Sequence, residues 1–96
     1  MKEIKIRLIA KSASRIGENF NWKGRVRKGL NLQEFMDKMA KENTFIAKNI
    51  YNLKSERLYP YHILFVNNEL IMPKNFETFV FKTEIKIRII PFVSGG

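Results

Sequence analysis

The sequence contains no cysteine, and that absence removes thiol nucleophiles, disulfides and cysteine-ligated zinc or iron–sulfur centres. Histidine occurs once, as His62, so histidine-rich and two-histidine metal sites are excluded as well. Proline is scarce, at positions 60, 73 and 91, and there is no internal repeat or low-complexity tract. No apolar run approaches the roughly 18 residues that span a bilayer, so no membrane association is expected. Met1 opens directly into mixed apolar and charged residues without a leader pattern, and a cytoplasmic location is expected. Neither G-x-x-x-x-G-K-[ST] nor G-x-G-x-x-G occurs, so any ATP chemistry must be carried out by a partner. These absences argue against a self-contained enzyme.

What is present suffices for a core. The 96 residues are 45% apolar and include eight Phe, three Tyr and one Trp. A chain of this size fits a single domain over residues 1–96 and can bury roughly 60–70% of its unfolded surface. Eighteen Lys and Arg oppose nine Asp and Glu, a net charge of +9.

Lys2 to Ile9 alternates strictly, with Ile4, Ile6 and Leu8 on one side and Glu3, Lys5 and Arg7 on the other. That period of two predicts a half-buried strand. After a turn or wide loop over 12–20, alternation returns from Asn21 to Leu30, where Gly24 suggests a bulge or a close backbone approach. Asn31 has the character of a helix N-cap, with Glu34 three residues on as in a capping box. Leu32, Phe35, Met36, Met39 and Ala40 then form one apolar helical stripe. A second, shorter helix is expected within 43–53 and a loop over 54–60. Tyr61–Val66 predicts a strand, Asn67-Asn68 a tight turn, and Glu69–Met72 a short return strand. Ile85, Ile87 and Ile89 alternate with Lys86 and Arg88 in a last strand whose ladder Pro91 should end. One helix flanked by strands on both sides predicts a small α+β domain with a mixed sheet wrapped on that helix.

The chain closes on Gly95-Gly96, which alone could be a frayed terminus or an appended tag. Its context is more specific: Ile89-Ile90-Pro91-Phe92-Val93-Ser94-Gly95-Gly96 resembles the C-terminus of the MoaD/ThiS sulfur carriers. Those proteins end in a strand, a proline, a short apolar stretch and Gly-Gly. Val66-Asn67-Asn68-Glu69-Leu70 is similar to the family's hairpin, and the element order matches its ubiquitin-like β-grasp fold of four to five strands on one main helix. The resemblance covers the whole chain in pattern and the last eight residues as a motif.

That resemblance implies a carrier with no bound cofactor. An E1-like adenylyltransferase would use ATP to form an acyl-adenylate on Gly96, and a persulfide sulfur donor would convert it to a thiocarboxylate. The sulfur would pass to a large synthase subunit or another acceptor; a molybdopterin-synthase small subunit is the leading type. Gly95, Ser94 and Val93 would thread the partner's channel, while Pro91 and Phe92 would bind the partner where a flexible tail (92–96) leaves the sheet. Glycine suits a narrow channel because it adopts backbone angles that side chains forbid. The sequence departs from the family at Phe81-Lys82-Thr83-Glu84, where a Gly-Asp pair is common, at Phe92, where a second proline is common, and in a long segment 41–60. Whether the product is molybdopterin, thiamine or thiolated tRNA stays open.

The remaining chemistry-bearing residues have plain readings. Asp37 sits at a polar helix position and is expected to be solvated. His62 is expected to pack or to lie at the surface, and Met36 and Met39 to fill the core. If the first, second and last strands are neighbours, Lys5, Arg7, Lys23, Arg25, Arg27, Lys86 and Arg88 share one sheet face. A solvated face is the simplest reading of them, an acidic protein partner the next, and nucleic acid the least favoured, although Phe20 and Trp22 lie nearby. Two further functions stand beside the carrier: a ubiquitin-like modifier conjugated to lysines through Gly96, and a basic nucleic-acid-binding module.

Overall fold

The computed structural model describes residues 2–15 and 17–92. Among the described residues the α-helices and β-strands follow in the order β1 (Glu3–Lys11), β2 (Asn19–Arg27), α1 (Leu32–Glu42), α2 (Thr44–Asn49), β3 (Tyr51–Asn52), β4 (Arg57–Leu58), β5 (His62–Val66), β6 (Glu69–Ile71) and β7 (Ile85–Pro91). Five strands form one mixed sheet in the order β2-β1-β7-β5-β6, and β3 and β4 make a separate two-stranded ribbon. β1 and β7 run parallel at the centre, while the other neighbours are antiparallel.

Alternation puts Ile6, Leu8, Ala10, Val26, Leu64, Val66, Ile85, Ile87 and Ile89 on the buried face. Across that face lies α1. Its cap is reciprocal: Asn31 Oδ1 accepts from the Glu34 N–H at 2.8 Å, and Glu34 Oε1 accepts from the Asn31 N–H at 3.1 Å. Leu32, Phe35, Met36, Met39 and Ala40, the stripe read from sequence, are all buried.

Gly24 does not mark a bulge. It sits opposite Ile6 in an unbroken ladder, and the close approach is made by a side chain. The Trp22 ring folds back over Gly24, where a Cβ would stand 2.4 Å from a ring carbon. In that position Trp22 lies 5.7 Å from Phe35, centroid to centroid.

Segment 41–60 holds α2 and the β3–β4 ribbon, so part of the expected loop over 54–60 is strand. Tyr51, at the start of the ribbon, is fully buried. The crossover between β6 and β7 contributes Phe76 and Phe81 to the core. It also satisfies the open end of α1: the Leu32 and Gln33 N–H groups donate to the Phe79 and Phe76 carbonyls at 2.9 and 3.2 Å. Asn67 and Asn68 make the β5–β6 turn with φ of 49° and 73°, angles that asparagine tolerates.

Candidate functional site

β7 delivers the chain to the surface from the middle of the sheet. Its ladder runs to Pro91, opposite His62, and the Phe92 N–H still donates to the Tyr61 carbonyl at 2.6 Å. The ladder ends at Pro91, as the sequence predicts, with the one bond from Phe92 just beyond it. Successive N–H groups of a strand point to opposite neighbours, so the nitrogen of Pro91 faces the β1 side. The β1–β7 pairing has already finished there, at Ala10–Ile89, and the missing donor costs no ladder bond. Val93, Ser94, Gly95 and Gly96, the residues expected to thread a partner and react, lie outside the described residues.

The ground beneath this exit is held by side chains. His62 Nε2 accepts from the Ala13 N–H at 3.0 Å, and Nδ1 lies 3.0 Å from the Tyr59 carbonyl. A carbonyl only accepts, so Nδ1 carries the proton and the imidazole is neutral. His62 is thus structural, tying the loop after β1 to the start of β5. Ser12, buried in that loop, accepts from the Ser14 and Arg15 N–H groups at 3.1 and 3.2 Å. Tyr61 holds φ at 72°, a left-handed conformation that a bulky residue adopts at a cost of about 1–2 kcal/mol.

Around the exit the surface is apolar. Phe92 is 48% exposed and Tyr61 67% exposed. On the outer sheet face Ile90 stands opposite Ile63, and Phe65 opposite Leu70, which is 46% exposed.

At the other end of β7 the outer face is basic. Of the seven cations grouped from sequence, Lys5, Arg7, Lys23, Arg25 and Lys86 line one open cleft of about 680 Å³. The other two lie outside that cleft. Arg27 stands opposite Glu3 in the ladder. Arg88 lies 5.3 Å over the Phe65 ring and donates to Asn68 Oδ1 at 3.1 Å. Phe20 and Trp22 do not join this face. Phe20 stacks on Phe45 at 6.1 Å and Trp22 packs tilted against Phe35, both on the core side.

Asp37 is not simply solvated. It is half-buried and accepts from the Tyr51 hydroxyl at 2.6 Å, while Gln33 Nε2 donates to the same phenol oxygen. Burial, and then the Asp37 carboxylate, push the Tyr51 phenol well above its usual range. Below about pH 10 a tyrosine is protonated in both folded and unfolded chains. Above that pH the unfolded chain releases the proton while the folded one keeps it. Stability from this group is therefore complete below about pH 10 and falls as pH rises further. Tyr51→Phe should lose about 1–2 kcal/mol at neutral pH and flatten the alkaline decline in urea-unfolding midpoints. An equally steep decline in the variant would show that another group carries it.

Among the described residues there is no cluster of three His, Asp or Glu able to hold a metal, and no helix long and apolar enough to cross a membrane. The sheet order, its parallel central pair and the helix across one face define a ubiquitin-like β-grasp fold. Solved structures agree. The chain superposes on the crystal structure of SAMP1 from Haloferax volcanii with a TM-score of 0.65, over 99% of this chain and 100% of that one, at 16% identity. It matches the solution structure of the Haloferax volcanii HVO 2177 protein with a TM-score of 0.66, over 98% and 88% of the two chains, at 13% identity. Haptocorrin, crystallised with Cbi, shares the fold over 96% of this chain and 26% of its own, with a TM-score of 0.58 and 16% identity. At these identities the likeness is one of fold. No protein-family model and no curated protein matches the chain.

Proposed function

We propose that the protein is a sulfur carrier of the MoaD/ThiS type, activated at the carboxyl of Gly96 by a separate E1-like enzyme. One observation carries the reading: the central strand of a β-grasp sheet runs out at Pro91–Phe92, directly before a sequence that ends in Gly-Gly. The strained Tyr61 and the exposed Phe92 at the same point add support, because strain and exposed aromatics gather where partners bind.

A carboxylate is a poor electrophile. Attack by a Gly96 oxygen on the α-phosphorus of ATP expels pyrophosphate and leaves an acyl-adenylate. A persulfide then displaces AMP, and reduction of the resulting S–S bond by a thiol leaves the thiocarboxylate. The chain's own part is to present a slim, unbranched end to the active sites of its partners. The small subunit of a molybdopterin-synthase-type complex is the leading form of this reading.

The direct experiment supplies ATP and a matching E1-like enzyme and follows pyrophosphate release. Release that depends on the carrier supports the reading, and its absence contradicts it. Branched Gly-Gly on lysines of other proteins would instead make the chain a modifier. Phe92→Ala should weaken the complex with the activating enzyme by about tenfold or more while lowering Tm by no more than a few degrees. Equal loss of binding and stability would assign Phe92 to the core.

A further inference from the structure

We propose that the basic cleft on the outer sheet face is a docking site for an extended acidic segment of a partner protein. Its five cations are set against one another. Lys5 stands opposite Arg25, and Arg7 stands between Lys23 on one side and Lys86 on the other. Like charges directly across strands weaken a sheet. Among the described residues the ion pairs join Arg15 to Glu18 and Lys38 to Glu42, and neither reaches the cleft. Glu84 is the one acidic side chain in the lining. Solubility asks for charge, and mixed signs would serve it equally well. A single sign collected in a hollow focuses a field on an anion.

The hollow has a cause in the topology. β7 begins at Ile85, opposite Ile6, so the sheet narrows from three strands to two just past that row. The cations lie on three strands about 4.8 Å apart, which leaves about 10 Å between the outer rows. That is the width of one extended chain. Lys5 and Arg7, like Lys23 and Arg25, repeat every second residue, about 7 Å apart. Alternate side chains of an extended acidic peptide have the same repeat, so carboxylates at every second position meet cations in register.

Nucleic acid fits less well. Single strands need aromatic platforms for their bases. The aromatic ring on this face, Phe65, is already covered by Arg88. A duplex is broader than the cleft.

The cleft also lies apart from the end of β7. Pro91 is five residue steps beyond Lys86, about 17 Å along the strand. An acidic segment held there leaves the Pro91–Phe92 end of β7 uncovered for a second protein.

The test uses the full chain and a fluorescent peptide of alternating Glu and Ser, with single-stranded RNA and a DNA duplex of equal charge as competitors. Arg7→Glu with Lys23→Glu should weaken peptide binding by about tenfold or more, whereas Lys54→Glu with Lys74→Glu, the same charge change at exposed sites elsewhere, should shift it by no more than about twofold. Arg7→Glu alone places opposite charges beside Lys23 and Lys86, so its Tm should rise. No peptide binding at low salt would overturn the proposal, as would equal losses in the two double variants or a Tm that fails to rise. Tighter binding of RNA or duplex through the same residues would make the cleft a nucleic-acid site instead.

Discussion

Deletion of Gly96 is expected to abolish ATP-dependent activation of the protein while leaving its melting temperature within about 2 °C of the parent. The described sheet and core are complete by the Phe92 N–H, four residues short of the C-terminus. Loss of Gly96 removes the carboxyl position that an adenylating enzyme addresses. The next carboxyl, on Gly95, would sit one residue, about 3.5 Å, too far back. A misplacement of about 1 Å can already cost on the order of 10²-fold, so activation should fall below detection. Gly95→Val tests the same account without shortening the chain. A branched side chain beside the reacting carboxyl should reduce activation by about 10²-fold or more with no change in folding. Normal activation of either variant would show that the terminus is not the reacting group.

Phe35→Ala should have the opposite profile, with the fold lost before the chemistry. Phe35 is fully buried on α1, its ring 5.7 Å from Trp22 of β2 and 5.6 Å from Phe81 of the crossover. It is the point at which helix, sheet and crossover meet. Truncating a buried Phe to Ala costs about 3–5 kcal/mol, because the lost transfer free energy adds to that of the cavity left behind. Small domains are stable by only about 5–15 kcal/mol in total. At about 4–8 °C per kcal/mol, Tm should fall by at least about 12 °C, or the variant should be unfolded at 37 °C. Urea unfolding of parent and variant measures this directly. A loss below about 1 kcal/mol would mean that the three aromatic rings do not form the centre of the core.

Much of the architecture is legible in the sequence, because two periodicities and one cap mark it. Asn31 and Glu34 place the start of α1, and the Leu32–Ala40 stripe gives the face that it buries. Strict alternation in β1, β2 and β7 separates the core from the basic face, and the two asparagines mark the β5–β6 turn. The misses fall where no period operates. The crossover after β6 buries Phe76 and Phe81 through irregular backbone that bonds to the open end of α1, so nothing in their spacing reveals them. Tyr51 and Asp37 lie 14 residues apart, and their hydrogen bond exists only once α1 and β3 have packed together. Gly24 signals a close approach correctly, but its partner is the side chain of Trp22, two residues earlier on the same strand. Pro91 reads as the end of a ladder, and β7 does end there, but sequence alone does not tell which neighbour its missing N–H would have faced.

The candidate site divides in the same way. The C-terminal motif and the seven cations can be read directly from the chain. That five of those cations share a cleft, while Arg27 stands opposite Glu3 and Arg88 turns to Phe65 and Asn68, follows from the register, which fixes who stands opposite whom. The role of His62, clamping the loop after β1 with one nitrogen and the Tyr59 carbonyl with the other, is equally a matter of tertiary placement.

The measurement that tests the central claim most directly is mass analysis of the intact, untagged protein and its C-terminal peptide, isolated from the cells that make it. Activation at Gly96 predicts a population in which sulfur replaces one carboxyl oxygen of that residue, increasing when ATP and the matching E1-like enzyme are supplied. A bare carboxylate under every condition, with no thiocarboxylate and no conjugate to lysine, would contradict the account.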